Sequence, residues 1–150
     1  MRAAHIAGVS INQTVGDWTG NYQRISQALN LAHSKGAKLV VFPEMCIPGY
    51  SLGDRLIMEG TLERSWKMLM DLKRHTKGLV AAFGLPIRHR DVIYNVVAVV
   101  ANQQLVGLVP KENLATGDVQ YENRWYSGWP RTRVEHYLDE KGLTVPIGGL

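Results

Sequence analysis

Two short apolar runs of strand type, residues 6–11 and 39–42, flank a segment whose apolar residues recur at helical spacing. In that segment, residues 21–33, the side chains of Tyr22, Ile25, Ala28, Leu29 and Ala32 form one stripe. Lys35-Gly36 then supplies a cation and a glycine where a helix ends. Strand, helix and strand within about 40 residues restrict the chain to the α/β layer folds, because the connecting helix must bury its stripe on a face of the sheet.

The remaining chain shows what kind of sheet this is. A loop over residues 45–54 leads to a second helix at residues 61–77, with Leu62, Trp66, Leu69, Met70 and the aliphatic stem of Lys73 on one side and Gly78 at its end. Its Met and Trp positions read as core packing. Residues 79–83 form a third strand, stopped by Gly84 and Pro86, and residues 88–91 form a connecting turn. Residues 94–100 and 104–109 are β-rich runs separated by little more than Asn102-Gln103, which makes them an antiparallel hairpin. No helix fits between them, so the sheet is mixed. From residue 112 to residue 150 the pattern loosens. Tyr121, Trp125, Tyr126 and Trp129 alternate with Glu122, Arg124, Arg131 and Arg133, which suggests a folded loop with some buried rings and no regular element. No closing strand or helix is expected at Gly148-Gly149-Leu150, and the chain has no internal repeats.

Bulk properties exclude several functions. A chain of 150 residues supports one domain with a proper core and is too short for two ordinary ones. At 45% hydrophobic and 20% charged residues the composition is globular, and no apolar run reaches membrane length, so cytoplasmic residence is the expectation. The single cysteine, Cys46, excludes an intrachain disulfide and a cysteine zinc site, and five scattered histidines show no ligand spacing. No metal site is expected. The net charge of +4 includes two basic spots, Arg88-His89-Arg90 and Arg131-Thr132-Arg133. Both are short and lack interleaved aromatics, so they read as solvated surface and not as a nucleic-acid face.

Two strands end in the same unusual way. Residues 39–42 are followed by Pro43-Glu44, and residues 104–109 by Pro110-Lys111. Proline cannot donate to a strand ladder and marks where each strand stops. Each strand therefore delivers one charged side chain just past its end, where ligand clefts form in open α/β sheets. A carboxylate in apolar surroundings at such a place suits a general base. Taken singly, Glu44 is an ordinary loop residue and Lys111 an ordinary surface lysine; their matched placement singles them out.

The ordered set Val41-Phe42-Pro43-Glu44, Pro48-Gly49-Tyr50, Pro110-Lys111 and Glu122 resembles the carbon–nitrogen hydrolase (nitrilase) superfamily. Within it, Ser51-Leu52-Gly53-Asp54, the stretch from Gly84 to Arg90, Asn123-Arg124-Trp125-Tyr126 and Thr144-Val145-Pro146-Ile147-Gly148 resemble the glutaminase domains of glutamine-dependent NAD synthetases, above all the eukaryotic-type branch. The resemblance implies a mixed-sheet α-β-β-α sandwich of nitrilase type, of which residues 1–150 are the N-terminal part. It implies Glu44 as general base, Lys111 as oxyanion stabiliser, Glu122 as the second glutamate that orients the lysine and substrate, and Tyr50 near the pocket for L-glutamine.

Two departures qualify the resemblance. Many bacterial members carry a tyrosine at the position of Gly117, and the family's nucleophile motif, of Glu-Ile-Cys-Glu type, does not occur in these residues. The expectation is that the nucleophile strand and an ATP- and magnesium-using synthetase domain belong to a longer polypeptide. The fragment alone would then be inactive, and Cys46 would be a small buried hydrophobe and no nucleophile. A homo-oligomer is also expected. The alternatives are another amidase of the superfamily, or a non-catalytic truncated product that binds or oligomerises.

Overall fold

The structure, a computed structural model, describes residues 4–149. Its centre is a seven-stranded mixed sheet in the order β1-β2-β3-β4-β5-β9-β8. Strands β1 (Ile6–Gly8), β2 (Leu39–Val41) and β3 (Val80–His89) run parallel. Strands β4 (Val92–Ala101) and β5 (Gln104–Pro110) continue the sheet as antiparallel neighbours. Two small strands, β6 (Thr116–Gly117) and β7 (Gln120–Tyr121), form a separate ladder. Strand β9 (Thr144–Gly148) lies parallel to β5, and β8 (Val134–Leu138) closes that side antiparallel to β9.

Helix α1 (Trp18–Ser34) starts three residues before the expected helical segment because the Asp17 side chain caps it, accepting from the Gly20 N–H at 2.9 Å. It buries Asn21, Ile25, Leu29 and Ala32. Helix α2 (Thr61–Leu72) buries Leu62, Ser65, Met68, Leu69 and Leu72, then tightens into a 3-10 turn over Lys73–Thr76. The buried face is thus rotated from the expected one: Lys73 and Met70 lie at its margin, and Ser65 is inside, its hydroxyl satisfied by the Thr61 carbonyl. Trp66 packs against Tyr137 of β8, with ring centroids 4.9 Å apart. Both helices cover one face of the sheet, where Val40, Ala81, Phe83, Leu85, Ala98 and Leu108 meet Ile25, Leu29, Leu69 and Leu72. The other face leaves Val41, Val97 and Val106 exposed. The helix layer and one sheet of the expected sandwich are therefore present.

Three expectations need correction. Gly84 and Pro86 do not stop the third strand, which continues to His89. Ala82 and Gly84 offer carbonyls on the β2 side to the N–H groups of Phe42 (3.1 Å) and Ile47 (3.2 Å). Side alternation then puts the missing N–H of Pro86 on that same side, beyond the end of β2, where no ladder bond is lost. Accordingly the turn between β3 and β4 is only Arg90-Asp91, both at positive φ (50° and 63°), like Asn102-Gln103 (47° and 68°) after β4. Two positive φ values match the turn to the twist of its strands. Lastly, the tail is more than a folded loop: it holds the regular strands β8 and β9, and β9, which runs to Gly148, lies between β5 and the edge strand β8. Strand β8 alternates half-buried and exposed residues and β9 contains Pro146, so neither has a strong local signal.

Candidate active site

Glu44 leaves the sheet in a turn held from several sides. After β2 the chain folds back so that Cys46 N–H donates to the Pro43 carbonyl and Gly49 N–H to that of Met45. Met45 sits at φ 53°, a left-handed conformation that a non-glycine residue adopts at a cost. The turn lies directly against β3. A Cβ on Gly84 would fall 2.3 Å from the Met45 nitrogen, so only glycine permits this approach. From the helix side, the buried Asn21 amide donates to the Ile47 carbonyl at 3.1 Å and ties the turn to α1.

Lys111 and Glu122 approach from the far side of the sheet. Lys111 follows β5; its N–H donates to the Asn95 carbonyl at 2.8 Å and its own carbonyl accepts from Trp129 N–H at 3.0 Å. Glu122 opens a single 3-10 turn, Glu122–Arg124, and is only 6% exposed. The Lys111 ammonium lies 2.9 Å from Glu44 Oε1 and 2.9 Å from Glu122 Oε2. Tyr50 donates its hydroxyl to Glu122 Oε1 at 2.8 Å, and the Ala115 N–H donates to Oε2 at 2.7 Å. All four residues singled out from the sequence therefore meet in one cluster.

The charges are held in place by this network. Burial works against the Lys111 ammonium, but hydrogen bonds to Glu122 and Glu44, with their negative charge, outweigh it and raise its pKa. Burial likewise opposes the Glu122 carboxylate, and the donors Ala115, Lys111 and Tyr50 outweigh it and hold its pKa low. The Tyr50 phenol is pushed up, chiefly by its hydrogen bond to that carboxylate. At neutral pH the cluster thus contains a fixed ammonium, a fixed carboxylate and a neutral phenol. An ammonium has three N–H donors. The two glutamates present three oxygens to it: Glu44 Oε1 at 2.9 Å, and Glu122 Oε1 at 3.1 Å and Oε2 at 2.9 Å.

Glu44 corrects one expectation. Its side chain is 42% exposed and its partners are polar, so the surroundings are not apolar. Asn95 is the residue that sequence reasoning missed. It is 4% exposed in β4, between Tyr94 and Val96, and its amide donates to Glu44 Oε1 at 2.5 Å. The available signal was a lone amide inside the apolar run of β4.

Cys46 is sequestered. It is 1% exposed within the main core, its thiol directed to the Gly84 carbonyl at 3.7 Å, and burial pushes the thiol pKa up to about 12. Such a thiol is inert at neutral pH.

A cavity of about 610 Å³ adjoins the cluster, lined by Tyr50 and Glu122 together with Asp54, Tyr121, Arg124 and Trp125. Arg124 pairs with Asp54 at 3.1 Å, and the Trp125 indole donates to the same carboxylate at 2.8 Å. Gly117 is exposed at φ 138°, a backbone that favours glycine over tyrosine. A second cavity, of about 490 Å³, lies between α1 and α2 around Trp18, Tyr22 and Met68 and contains none of these residues. Among the described residues no group of three or more His, Cys, Asp or Glu could hold a metal ion, and no helix is long and apolar enough to cross a membrane.

Known proteins carry the same arrangement of chain. The glutamine-dependent NAD(+) synthetase of Dictyostelium discoideum is 33% identical over 137 residues, 89% of this chain and 19% of that protein. The crystal structure of a glutamine-dependent NAD(+) synthetase from Cytophaga hutchinsonii superposes with a TM-score of 0.94 at 30% identity, covering 97% of this chain and 25% of that one. An amidase from Nesterenkonia sp., 16% identical, shares the fold with a TM-score of 0.73 over 99% of this chain and 56% of its own. The chain spans 19% to 22% of the length of these curated synthetases. The carbon–nitrogen hydrolase family model matches residues 5–145. With nearly the whole sequence matched and the nitrilase-type sheet and helices in place, the chain belongs to the carbon–nitrogen hydrolase family.

Proposed function

We propose that these residues form the N-terminal part of the glutaminase unit of a glutamine-dependent NAD synthetase. In this reading the unit releases ammonia from L-glutamine in the cytoplasm, and a synthetase domain elsewhere in the polypeptide uses it in the ATP-dependent amidation of nicotinic acid adenine dinucleotide. The observation that carries the reading is the ion-paired line Glu44–Lys111–Glu122 beside Tyr50 and the aromatic-walled cavity. ATP and magnesium belong to the synthetase domain, and no step here runs through them.

Cys46 is the only thiol in these residues and lies in the core, so the nucleophile comes from outside them. Glu44 takes the proton of that thiol: the S–H bond breaks and an O–H bond forms on the carboxyl. The thiolate attacks the side-chain amide carbon of glutamine, and negative charge moves onto the amide oxygen. An N–H of Lys111, shared until then with the Glu122 carboxylate, turns to receive that oxyanion, in a setting where one such donor is worth about 10²–10³ in rate. The C–N bond then breaks, the proton passes from Glu44 to the leaving nitrogen, and ammonia departs from a thioester. Glu44 next takes a proton from water, whose oxygen bonds to the thioester carbon as the C–S bond breaks; that proton returns from Glu44 to the sulfur and glutamate leaves. Glu122 is the anchor that keeps Lys111 charged and in place.

The test uses the full-length protein with ATP, nicotinic acid adenine dinucleotide and either glutamine or ammonium as nitrogen source. Glu44→Gln is expected to abolish NAD formation from glutamine and to leave formation from ammonium within about twofold, since its site serves only nitrogen release. Glutamine-supported synthesis that survives Glu44→Gln would overturn the assignment. Amide hydrolysis with no NAD formation from either source would point to another amidase of the family.

A further inference from the structure

The two donors that reach Glu44 both go to one of its oxygens. Asn95 Nδ2 donates to Oε1 at 2.5 Å and Lys111 Nζ donates to the same Oε1 at 2.9 Å. Among the described residues Oε2 has no hydrogen-bond partner, and the side chain as a whole is 42% exposed. A carboxylate with one oxygen saturated and the other bare is oriented, since rotation about its last bond would exchange a doubly bonded oxygen for an unbonded one.

We infer that Asn95 is the positioning residue of the base: with Lys111 it occupies Oε1 of Glu44, and so makes Oε2 the atom that accepts the proton. The inference rests on the reading of Glu44 as general base. Asn95 suits the task because it cannot compete for the proton. An amide donates without titrating, whereas Lys111, the other donor to Oε1, must also serve the oxyanion. Its placement is rigid. Asn95 lies on a central strand, opposite Pro86 of β3, and its carbonyl takes the Lys111 N–H at 2.8 Å. One residue thereby sets both the carboxylate, through its side chain, and the lysine, through its backbone. A buried amide on an apolar strand has a desolvation cost, and here Glu44 is its hydrogen-bond partner. The charged and titratable groups facing the Glu44 carboxylate in this cluster are Lys111 and, behind it, Glu122, with the Tyr50 phenol on Glu122 and the buried Tyr126 phenol beside Met45.

The experiment compares wild type, Asn95→Leu and the isosteric Asn95→Asp in the full-length protein. It follows glutamine hydrolysis from pH 5 to 9, with thermal unfolding of each sample as the control for folding. In Asn95→Leu, kcat at neutral pH is expected to fall about tenfold to a hundredfold with KM within about twofold, and the acid limb of the kcat profile to move up by about one pH unit. Asn95→Asp is expected to move the limb further the same way, because a second carboxylate there disfavours the charged base. A profile of unchanged shape, merely scaled down with the amount of folded protein, would give Asn95 a packing role only and overturn the inference. If Asn95→Leu does not fold, Asn95→Asp decides. If wild type releases no ammonia, the reading of function fails. The inference is then decided by ¹³C NMR of the Glu44 side-chain carboxyl, assigned through Glu44→Gln: a titration displaced in Asn95→Asp sustains it, and one superimposed on wild type refutes it.

Discussion

Two carboxylates share one lysine in this site, and their surroundings could hardly differ more. Glu122 is 6% exposed and holds donors on both oxygens, from Lys111, Tyr50 and the Ala115 backbone. Glu44 is 42% exposed and receives donors on Oε1 alone. A carboxylate saturated by donors and cut off from water is an anchor; one with a bare oxygen on a half-exposed side chain can take and return a proton. Environment, not residue type, divides the two roles.

This contrast can be broken most sharply at the shared cation. Lys111→Met leaves a buried carboxylate with no counter-charge, and is expected to lower unfolding stability by about 3 kcal/mol in urea titrations. Glutamine hydrolysis by the full-length protein should drop by about 10³-fold or more. Next comes the turn that carries only one of the carboxylates. Gly84→Ala drives a methyl group into the Pro43–Met45 backbone, with an expected cost of about 1–3 kcal/mol and loss of hydrolysis, because Glu44 is displaced while Glu122 is untouched.

Neutralising each carboxylate in turn should then separate anchor from base. Glu122→Gln is expected to cost about 1–3 kcal/mol at neutral pH, since the Ala115 N–H and the Lys111 ammonium lose a charged acceptor. The pH dependence has a definite sign. The folded-state pKa of Glu122 lies below its unfolded value, so its contribution is present above the unfolded pKa, near 4.3 for a free glutamate, and is lost as pH falls through the folded value. The gap between wild type and Glu122→Gln should therefore close on acidification below about pH 4. Lys111 has the opposite sense. Its raised pKa contributes stability below about pH 10.4 that disappears as pH rises through the folded value. By contrast Glu44→Gln should change stability by no more than about 1 kcal/mol, as expected for a half-exposed pair, while removing glutamine hydrolysis. Equal stability losses at the two positions would erase the distinction. The smallest effect is expected at Cys46→Ala, with about 1 kcal/mol lost for a small buried side chain and hydrolysis by the full-length protein retained.

Much of this contrast is legible along the chain, and its other half is not. Pro43-Glu44 and Pro110-Lys111 are local patterns, readable because a proline after an apolar run marks a strand end whatever the rest of the molecule does. Glu122 and Tyr50 came from the resemblance to a family, since nothing in the residues around them distinguishes a buried glutamate from a solvated one. Asn95 escaped notice because a lone amide in an apolar strand has no periodic signature; its partner lies 51 residues away. The end of the chain carries a weak local signal for a related reason. Strand β9 is tied to β5 by one registered pair, Leu108 with Ile147, across a long separation, and its own residues include a proline.

By itself the amino-acid sequence determined the order of elements as far as β5, the mixed sheet, the inert character expected of Cys46, and which charged residues stand at strand ends. These follow from apolar periodicity and from glycine and proline, whose effects act within a few residues of the chain. Only the tertiary structure decided that β3 runs on through Gly84 and Pro86 and that the tail adds two strands to the sheet. It alone showed that Glu44 is half-exposed while Glu122 is buried, and that the Asn95 amide bonds to Glu44. Burial and hydrogen-bond partnership are set by residues distant in the chain, so the same two glutamates acquire different chemistry only when the sheet brings Lys111 between them.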